Sequence, residues 1–289
     1  MKIRKAVIPV AGWGTRTLPA SKAIPKEMFP IVDKPVIQYI VEEAVAAGIE
    51  QIIMITSKGK SAIMDHFDFS YELEDVLSKK GKTELLTIVK KVSQLAKMVG
   101  IRQGNPLGLG HAVLCGKDAV GDEPFAVLLG DDMVDSEIPC IKQMLKVFEE
   151  LKAPIVGVCQ VPEDKIHLYG VVDVKPIADR VYGIKGLVEK PTKQAAPSNL
   201  GIIGRYVLTP SIFEVLEHVP FDKSGEIGLT EGLSGLSHLC PIYAYEIVGK
   251  RFDVGDRLGY LKCNLNYAIK DPYLREQLRK AWEELLGNS

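Results

Sequence analysis

The sequence predicts an α/β fold, a parallel sheet covered by helices on both faces with antiparallel strands joined to it. Three observations carry this. Short apolar runs such as "QIIMIT" (Gln51 to Thr56) and "FAVLLG" (Phe125 to Gly130) lack the alternation of a half-exposed strand, so both their faces must be covered. Between such runs lie segments whose apolar residues recur at helical spacing. After Val161 the style changes to the alternating, turn-rich pattern of antiparallel hairpins.

In order along the chain, "IRKAVIPV" (Ile3 to Val10) is a β-rich run. "KPVIQYIVEEAVAAG" (Lys34 to Gly48) reads as a helix, with Gly48 suited to end it. After the strand at Gln51 to Thr56, two charged, helix-favouring stretches fill Ser57 to Gln94. A strand near Met98 to Arg102 leads into "GNPLGLGHAVLCG", a loop that becomes a helix. The strand at Phe125 is followed by a helix over about Glu137 to Leu151 and by the strand "PIVGVCQV" (Pro154 to Val161). "YGVVDVKPIADRVYGIKGLVEKP" then turns back on itself, as a second lobe or as strands appended to the sheet. Near the C-terminus, "YLREQLRKAWEELL" places Leu274, Leu278, Trp282, Leu285 and Leu286 near one helical face, a stripe for the chain's own domain or for a second subunit. No repeat or low-complexity linker interrupts the 289 residues, so a single compact unit with a cleft is expected.

Composition narrows the function classes. A net charge of −1 gives no overall electrostatic reason to bind nucleic acid or an anionic membrane. No apolar run approaches the roughly 20 residues of a membrane span, and the short apolar start is no secretory leader, so a cytoplasmic protein is expected. The five cysteines lie far apart without a C-x-x-C pair, which argues against a disulfide framework or a zinc knuckle. The histidines form no H-E-x-x-H pattern.

The segment most heavily decorated with chemistry follows the first strand: "AGWGTRTLPASKAIPKEMFP", Ala11 to Pro30. Strand, glycine loop, then helix is the general phosphate-binding arrangement, because free backbone N–H groups attract anions. Two common versions fail here. In the dinucleotide pattern the third glycine is replaced by Thr17, and no glycine precedes a lysine in the P-loop frame. What remains is a longer string in which Gly12 and Gly14 let backbone approach a ligand, Arg16 offers a planar fork and Lys26 a point charge.

Extended to "AGWGTRTLPASKAIPKEMFPIVDKPVIQY", this string resembles the signature of the sugar-phosphate nucleotidyltransferases, or nucleotide-sugar pyrophosphorylases. The resemblance continues in order through "RQGNPLGLGHAVLC", "LLGDDMV", "YGVV", "VEKP", "SNLGIIGRYVL" and "FDVGDRLGYLKC". It implies a Rossmann-like mixed, mainly parallel sheet flanked by helices with appended antiparallel strands. The site would lie over the C-terminal strand ends, where open α/β sheets place ligands in general. It implies a single nucleotidyltransferase domain, with a nucleotide-binding part at about 1–135, a sugar-binding part at about 136–260 and a C-terminal helical segment at about 261–289.

The implied reaction is attack by the phosphate of glucose 1-phosphate on the α-phosphorus of UTP, giving UDP-glucose and pyrophosphate. Two alternatives stay open: another nucleotide or sugar 1-phosphate, such as the thymidylyltransferase reaction, or a non-catalytic regulatory paralogue. By resemblance, Arg16 and Lys26 hold the leaving pyrophosphate and Lys190 lies near the reacting phosphates, making these three the catalytic set. Ala11, Gly12, Gly14, Thr15, Gln103 and Gly108 bind the nucleotide. Gln103 can read uracil, since an amide both donates and accepts. Gly170, Glu189 and Asn199 face the sugar, and Asp131 and Asp253 ligate Mg²⁺. His111 is given no catalytic role. Homodimers or homotetramers are implied, with small-molecule substrates and neither nucleic acid nor membrane as partners.

Spacing alone allows Asp131 or Asp132 to cap the next helix; the resemblance gives the metal to Asp131 and the cap to Asp132. Paired metal carboxylates repel one another without their ion, so Asp131→Ala is expected to cost the metal-free protein no stability. The chain departs from the family pattern at "EIGLTEG", where Gly228, Glu231 and Gly232 replace glutamine, aspartate and alanine.

Overall fold

A computed structural model describes residues 2–287; the side chain at 286 lies outside the described part. The first strand, β1 (Lys5–Pro9), sends Ala6 and Ile8 to one face of a sheet and Val7 to the other. The loop after it takes three short 3-10 turns and no α-helix. A two-residue ribbon, β2 (Pro30–Ile31) against β3 (Lys34–Pro35), leads into α1 (Val36–Ala46). β4 (Gln51–Thr56) comes next. Three helices rather than two fill the stretch behind it: α2 (Ser61–Asp65), α3 (Tyr71–Lys79) and α4 (Thr83–Ser93). Five residues are too few to reveal a helical period, which is why α2 has no sequence signature.

Next come β5 (Lys97–Arg102), α5 (Gly108–Leu114), α6 (Lys117–Val120) and β6 (Phe125–Leu128). A short strand, β7 (Asp132–Asp135), stands where the helix was expected to approach, and α7 (Cys140–Leu151) begins only after Pro139. Proline suits a helix start, having no N–H to leave unpaired. The chain continues through β8 (Ile155–Gln160), β9 (Gly170–Ala178), β10 (Val181–Glu189), β11 (Leu200–Leu208), α8 (Ser211–Leu216), α9 (Leu229–Ser237), β12 (Tyr243–Glu246) and β13 (Lys250–Asp253). It closes with α10 (Arg257–Ala268) and α11 (Pro272–Gly287).

Nine strands form one mixed sheet in the order β5-β4-β1-β6-β11-β8-β12-β10-β9. β10 and β11 oppose the direction shared by the others, so the sheet is mainly parallel in direction, with β9 and β10 as the appended hairpin. Strand residues alternate between two apolar layers. Ile52, Met54, Ala126 and Leu128 meet α1 and α7 on one side, while Ile53, Ile55, Phe125 and Val127 meet α5, α8 and α9 on the other. Each fully buried aliphatic side chain is worth about 1.5–3 kcal/mol, and this two-sided burial is why the strands read as unbroken apolar runs. Among the charged residues inside the protein, Arg205 of β11 is fully buried and forks onto both oxygens of Glu43 in α1, at 3.0 and 2.7 Å.

β7 and β13 form a separate antiparallel ribbon in which Asp132 faces Asp253 in register and Val134 faces Arg251. No described helix is long and apolar enough to cross a membrane.

Candidate active site

β1 and β6 are parallel neighbours, so the loops leaving their C-terminal ends converge. The loop after β1 supplies Arg16 and Lys26; the turn after β6 supplies Asp131; the end of β13 supplies Asp253. Lys26 Nζ donates to Asp131 Oδ2. Arg16 Nη1 donates to Asp253 Oδ2 at 2.9 Å, and its Nη2 lies 3.5 Å from Asp131 Oδ2. The backbone N–H of Val254 donates to the Asp131 carbonyl at 3.0 Å, which holds the two acidic segments together. Burial works against ionisation of the Asp131 carboxyl, but the charges of Lys26 and Arg16 outweigh it and hold its pKa below the ordinary value. Burial likewise opposes the charge on Lys26, and Asp131 with Glu27 outweighs it, so its pKa is raised.

The donor set suits a hard divalent cation. A Cβ placed on Gly255 would lie 2.6 Å from Arg16 Nη2, 2.9 Å from Asp131 Oδ2 and 3.1 Å from Asp253 Oδ1, so the guanidinium and both carboxylates converge over one stretch of backbone that has no side chain of its own. Among the described residues no group of three or more His, Cys, Asp or Glu side chains gathers as a metal cage. Carboxylate oxygens are the hard ligands a divalent cation prefers, with water and phosphate oxygens completing its shell. Within the protein these carboxylates are neutralised by Lys26 and Arg16 rather than left to repel one another. The expectation that Asp131→Ala costs no stability is therefore corrected: the charge it would relieve is already paired.

Behind Lys26, Glu27 and Lys60 form a buried pair, Lys60 Nζ donating to both Glu27 oxygens at 3.1 and 3.0 Å. Burial raises the pKa of Glu27 and lowers that of Lys60. This pair pins the Lys26 turn to the loop after β4. Sequence reasoning missed it; Glu27 stood in plain view beside Lys26, but Lys60 carried no signal.

On the β4–β5 side, Ala11 is buried and its carbonyl accepts from Ser57 Oγ at 3.1 Å, while Gly12 and Thr15 are exposed. Gly14 takes a positive φ, and its carbonyl accepts from Thr17 Oγ1 and Ser21 Oγ, which folds the glycine loop back on itself. Gln103 is buried, with its Nε2 donating to the Gly108 carbonyl at 3.0 Å and 2.9 Å from His111 Nδ1. His111, its pKa lowered by burial, thus supports Gln103 and remains outside the ion network. Gly108 has a reason for being glycine within the chain itself. Its φ is 95°, and a Cβ there would stand 2.8 Å from both Glu226 Cβ and the Ile227 carbonyl. The segment 226–228 is stitched to this loop by Ile227 N–H to the Leu107 carbonyl at 2.7 Å and Gly110 N–H to the Ile227 carbonyl at 2.8 Å.

On the hairpin side, Gly170 and Glu189 pair in register at the open ends of β9 and β10. Thr230 Oγ1 donates to Glu189 Oε2 at 2.8 Å. A Cβ on Gly170 would come within 3.0 Å of that same oxygen and 3.2 Å of the threonine hydroxyl, so the missing side chain makes room for the pair. Lys190 sits at φ 44°, an uncommon conformation for a residue with a Cβ, held by its N–H to the Tyr169 carbonyl at 3.0 Å. Its Nζ lies 3.3 Å from Glu189 Oε1 and so pairs within this second cluster, apart from Asp131 and Asp253. Asn199 is exposed just before β11, its carbonyl accepting from Val161 N–H at 2.9 Å.

Asp132 is no helix cap. It begins β7, is buried, and accepts from Arg251 Nε at 2.8 Å, Arg251 Nη2 at 2.8 Å and the Gly204 N–H at 3.0 Å. The helix it was expected to cap starts eight positions later, at Cys140. The departures at 228–232 are compensated locally. A Cβ on Gly228 would lie 1.7 Å from Glu231 Oε2, and one on Gly232 would lie 2.5 Å from Leu216 Cδ2. The longer acid at 231 occupies the space that a side chain at 228 would take.

A family model described as nucleotidyl transferase matches residues 5–269. The UTP–glucose-1-phosphate uridylyltransferase of Bacillus subtilis (strain 168) is 55% identical over 286 residues, covering 99% of this chain and 98% of that protein. Among solved structures, UTP-bound UGPase from Acinetobacter baumannii is similar with a TM-score of 0.89 and 43% identity, over 98% of this chain and 100% of that one. A UDP-glucose pyrophosphorylase complexed with UDP-glucose is similar with a TM-score of 0.86 and 40% identity, over 93% of this chain and 100% of that one.

Proposed function

The chain belongs to the nucleotidyl transferase family, and we propose that within it the protein joins UTP to glucose 1-phosphate, giving UDP-glucose and pyrophosphate. The observation that carries this reading is the convergence of Arg16, Lys26, Asp131 and Asp253 beyond the C-terminal ends of β1 and β6. Reaction between two polyanions is limited chiefly by charge, so catalysis rests on alignment and on preplaced cations. A phosphate oxygen of glucose 1-phosphate forms the new bond to the α-phosphorus of UTP as the bond to pyrophosphate breaks. Lys26 and Arg16 then exchange their carboxylate partners for the oxygens of the leaving pyrophosphate. Lys190 stands at the junction of the two substrates' phosphates, and Glu189 accepts from sugar hydroxyls, with Gly170 and Asn199 bordering the sugar. Ala11, Gly12, Gly14 and Thr15 meet the nucleotide through backbone, and Gln103 reads uracil with Gly108 beside it. Asp131 and Asp253 would hold Mg²⁺, which when bound neutralises phosphate charge and polarises the reacting phosphate.

On this reading residues 1–135 serve the nucleotide, 136–260 the sugar, and 261–289 the assembly of subunits. On α10, Leu258, Leu261 and Leu265 are exposed at helical spacing, continued by Ile269 just past its end, and on α11 Tyr273, Trp282 and Leu285 are exposed. Leu274 and Leu278 are half-buried, and the side chain at 286 falls outside the described part. The exposed stripe is bordered on α11 by charges of both signs, Arg275, Glu276, Arg279, Lys280 and Glu283, which suits antiparallel pairing with a second copy of the chain. We place the protein in the cytoplasm; all five cysteines are free thiols, which suits a reducing compartment.

The test is pyrophosphate release from each of UTP, CTP, dTTP and ATP with each of several sugar 1-phosphates. UTP with glucose 1-phosphate should be the most active pair. A preference for dTTP would move the chain to a neighbouring activity, and no release with any pair would overturn the reading.

A further inference from the structure

Arg251 physically joins the Asp131–Asp253 cluster to the Lys190–Glu189 cluster. It lies on β13, two residues before Asp253, with only 15% of its side chain exposed. Its Nε and Nη2 fork onto Asp132, the neighbour of Asp131 and the register partner of Asp253. Its remaining arm, Nη1, donates to the Tyr169 hydroxyl at 2.7 Å, and the guanidinium carbon lies 5.0 Å from the centre of that ring. Tyr169 is the turn on which the second cluster is built. Its carbonyl accepts the Lys190 N–H, and the next residue is Gly170, whose partner across the hairpin is Glu189. The ring is seated against β11, where a Cβ on Gly201 would come within 3.2 Å of it.

We propose that Arg251 is a positioning residue: it sets the spacing between the carboxylates at Asp131 and Asp253 and the Lys190–Glu189 end of the site. The inference rests on the proposed reaction, in which the two substrates' phosphates must meet between these clusters. A planar fork is needed because all three guanidinium nitrogens are engaged in two directions at once; the ammonium of a lysine offers only a point charge. Charge-assisted, mostly buried bonds of this kind hold geometry firmly, and small displacements of reacting groups are costly to rate.

The sharper variant is Tyr169→Phe, which removes one hydroxyl and leaves both the ring and the Arg251–Asp132 fork. Its calorimetric affinity for UTP with Mg²⁺ should match the unmodified protein, while its melting temperature falls modestly because the largely buried Arg251 Nη1 loses its acceptor. Its kcat should fall roughly ten- to a hundred-fold, with a rise in KM for glucose 1-phosphate, as expected for misaligned reactants. Arg251→Lys should show the same split with a larger fall. Unchanged kcat and KM in Tyr169→Phe would overturn the proposal. So would a loss of UTP affinity equal to the loss in kcat/KM, since that would mark a purely structural part of the nucleotide site. The unmodified protein in the same assay reports on the reaction itself, so failure of the functional reading is seen separately from failure of the positioning role.

Discussion

Lys26 and Asp131 depend on one another within the protein, so removing either has two separable effects. Lys26→Ala should lower kcat by roughly 10²–10³, the range for losing one preplaced charge in a transition state. With only 16% of its side chain exposed, Lys26 also cannot be removed without cost to the fold, because Asp131 loses its nearest counter-ion. Asp131→Ala should abolish most metal-dependent activity and also lower stability in chelator, by about 1–3 kcal/mol for a largely buried ammonium left without its partner. Thermal melts in chelator beside initial rates in excess Mg²⁺ check both; an Asp131→Ala protein that melts like the parent would contradict the pairing. The pH dependence is set by the direction of the shift. Asp131 has its folded-state pKa depressed below the ordinary 3.8, so its contribution is full above that value and fades as pH falls through the lower, folded pKa. The stability gap between parent and Asp131→Ala should therefore persist to about pH 4 and close only in stronger acid.

At the scale of elements, the start of α9 shows how a family pattern can change without loss of the fold. Gly228 lies in extended backbone just before the helix and Glu231 folds back over it. A glutamine restored at 228 alone must displace the Glu231 carboxyl, whereas Gly228→Gln with Glu231→Asp removes the conflict. The double variant should therefore be more stable than the sum of the single changes predicts, with a coupling of about 0.5–3 kcal/mol. Denaturant melts of the four proteins in the cycle measure it, and strict additivity would show that the two positions are independent. Thr230 lies in the same turn and holds Glu189, so the KM for glucose 1-phosphate should shift with these variants while the affinity for UTP stays constant.

For the whole molecule, the open question of the C-terminal stripe becomes one of assembly. Exposed Leu258, Leu261, Leu265 and Ile269 extend the apolar face beyond α11, and a contiguous exposed apolar surface of this kind marks an interaction site. Sedimentation at micromolar concentration should show a dimer or tetramer. Leu261→Glu with Leu265→Glu should release monomers that keep their melting behaviour, because neither side chain is buried in the parent chain. A parent protein that sediments as a monomer would remove the proposed role of this face.

Much of this architecture is readable in the amino-acid order. Burial on both faces writes itself as an unbroken apolar run, so β4 and β6 could be found from composition alone, as could α1 from its period. The residues that the family resemblance singled out, Arg16, Lys26, Asp131 and Asp253, are chemically conspicuous, and the fold does bring them within hydrogen-bonding reach. What could not be read is who pairs with whom across long separations. Asp132 looks like a cap because the linear sequence reveals only its near neighbours, whereas its partner Arg251 arrives from 119 positions away. Lys60 reaches Glu27, Thr230 reaches Glu189, and Gly108 is glycine because Glu226 and Ile227 pack against it. Local order determines elements, since helix periods, strand alternation and turns are properties of neighbours in sequence. Tertiary structure alone decides the charge partners, because a buried ion takes whichever counter-charge the sheet topology brings within about 3 Å of it.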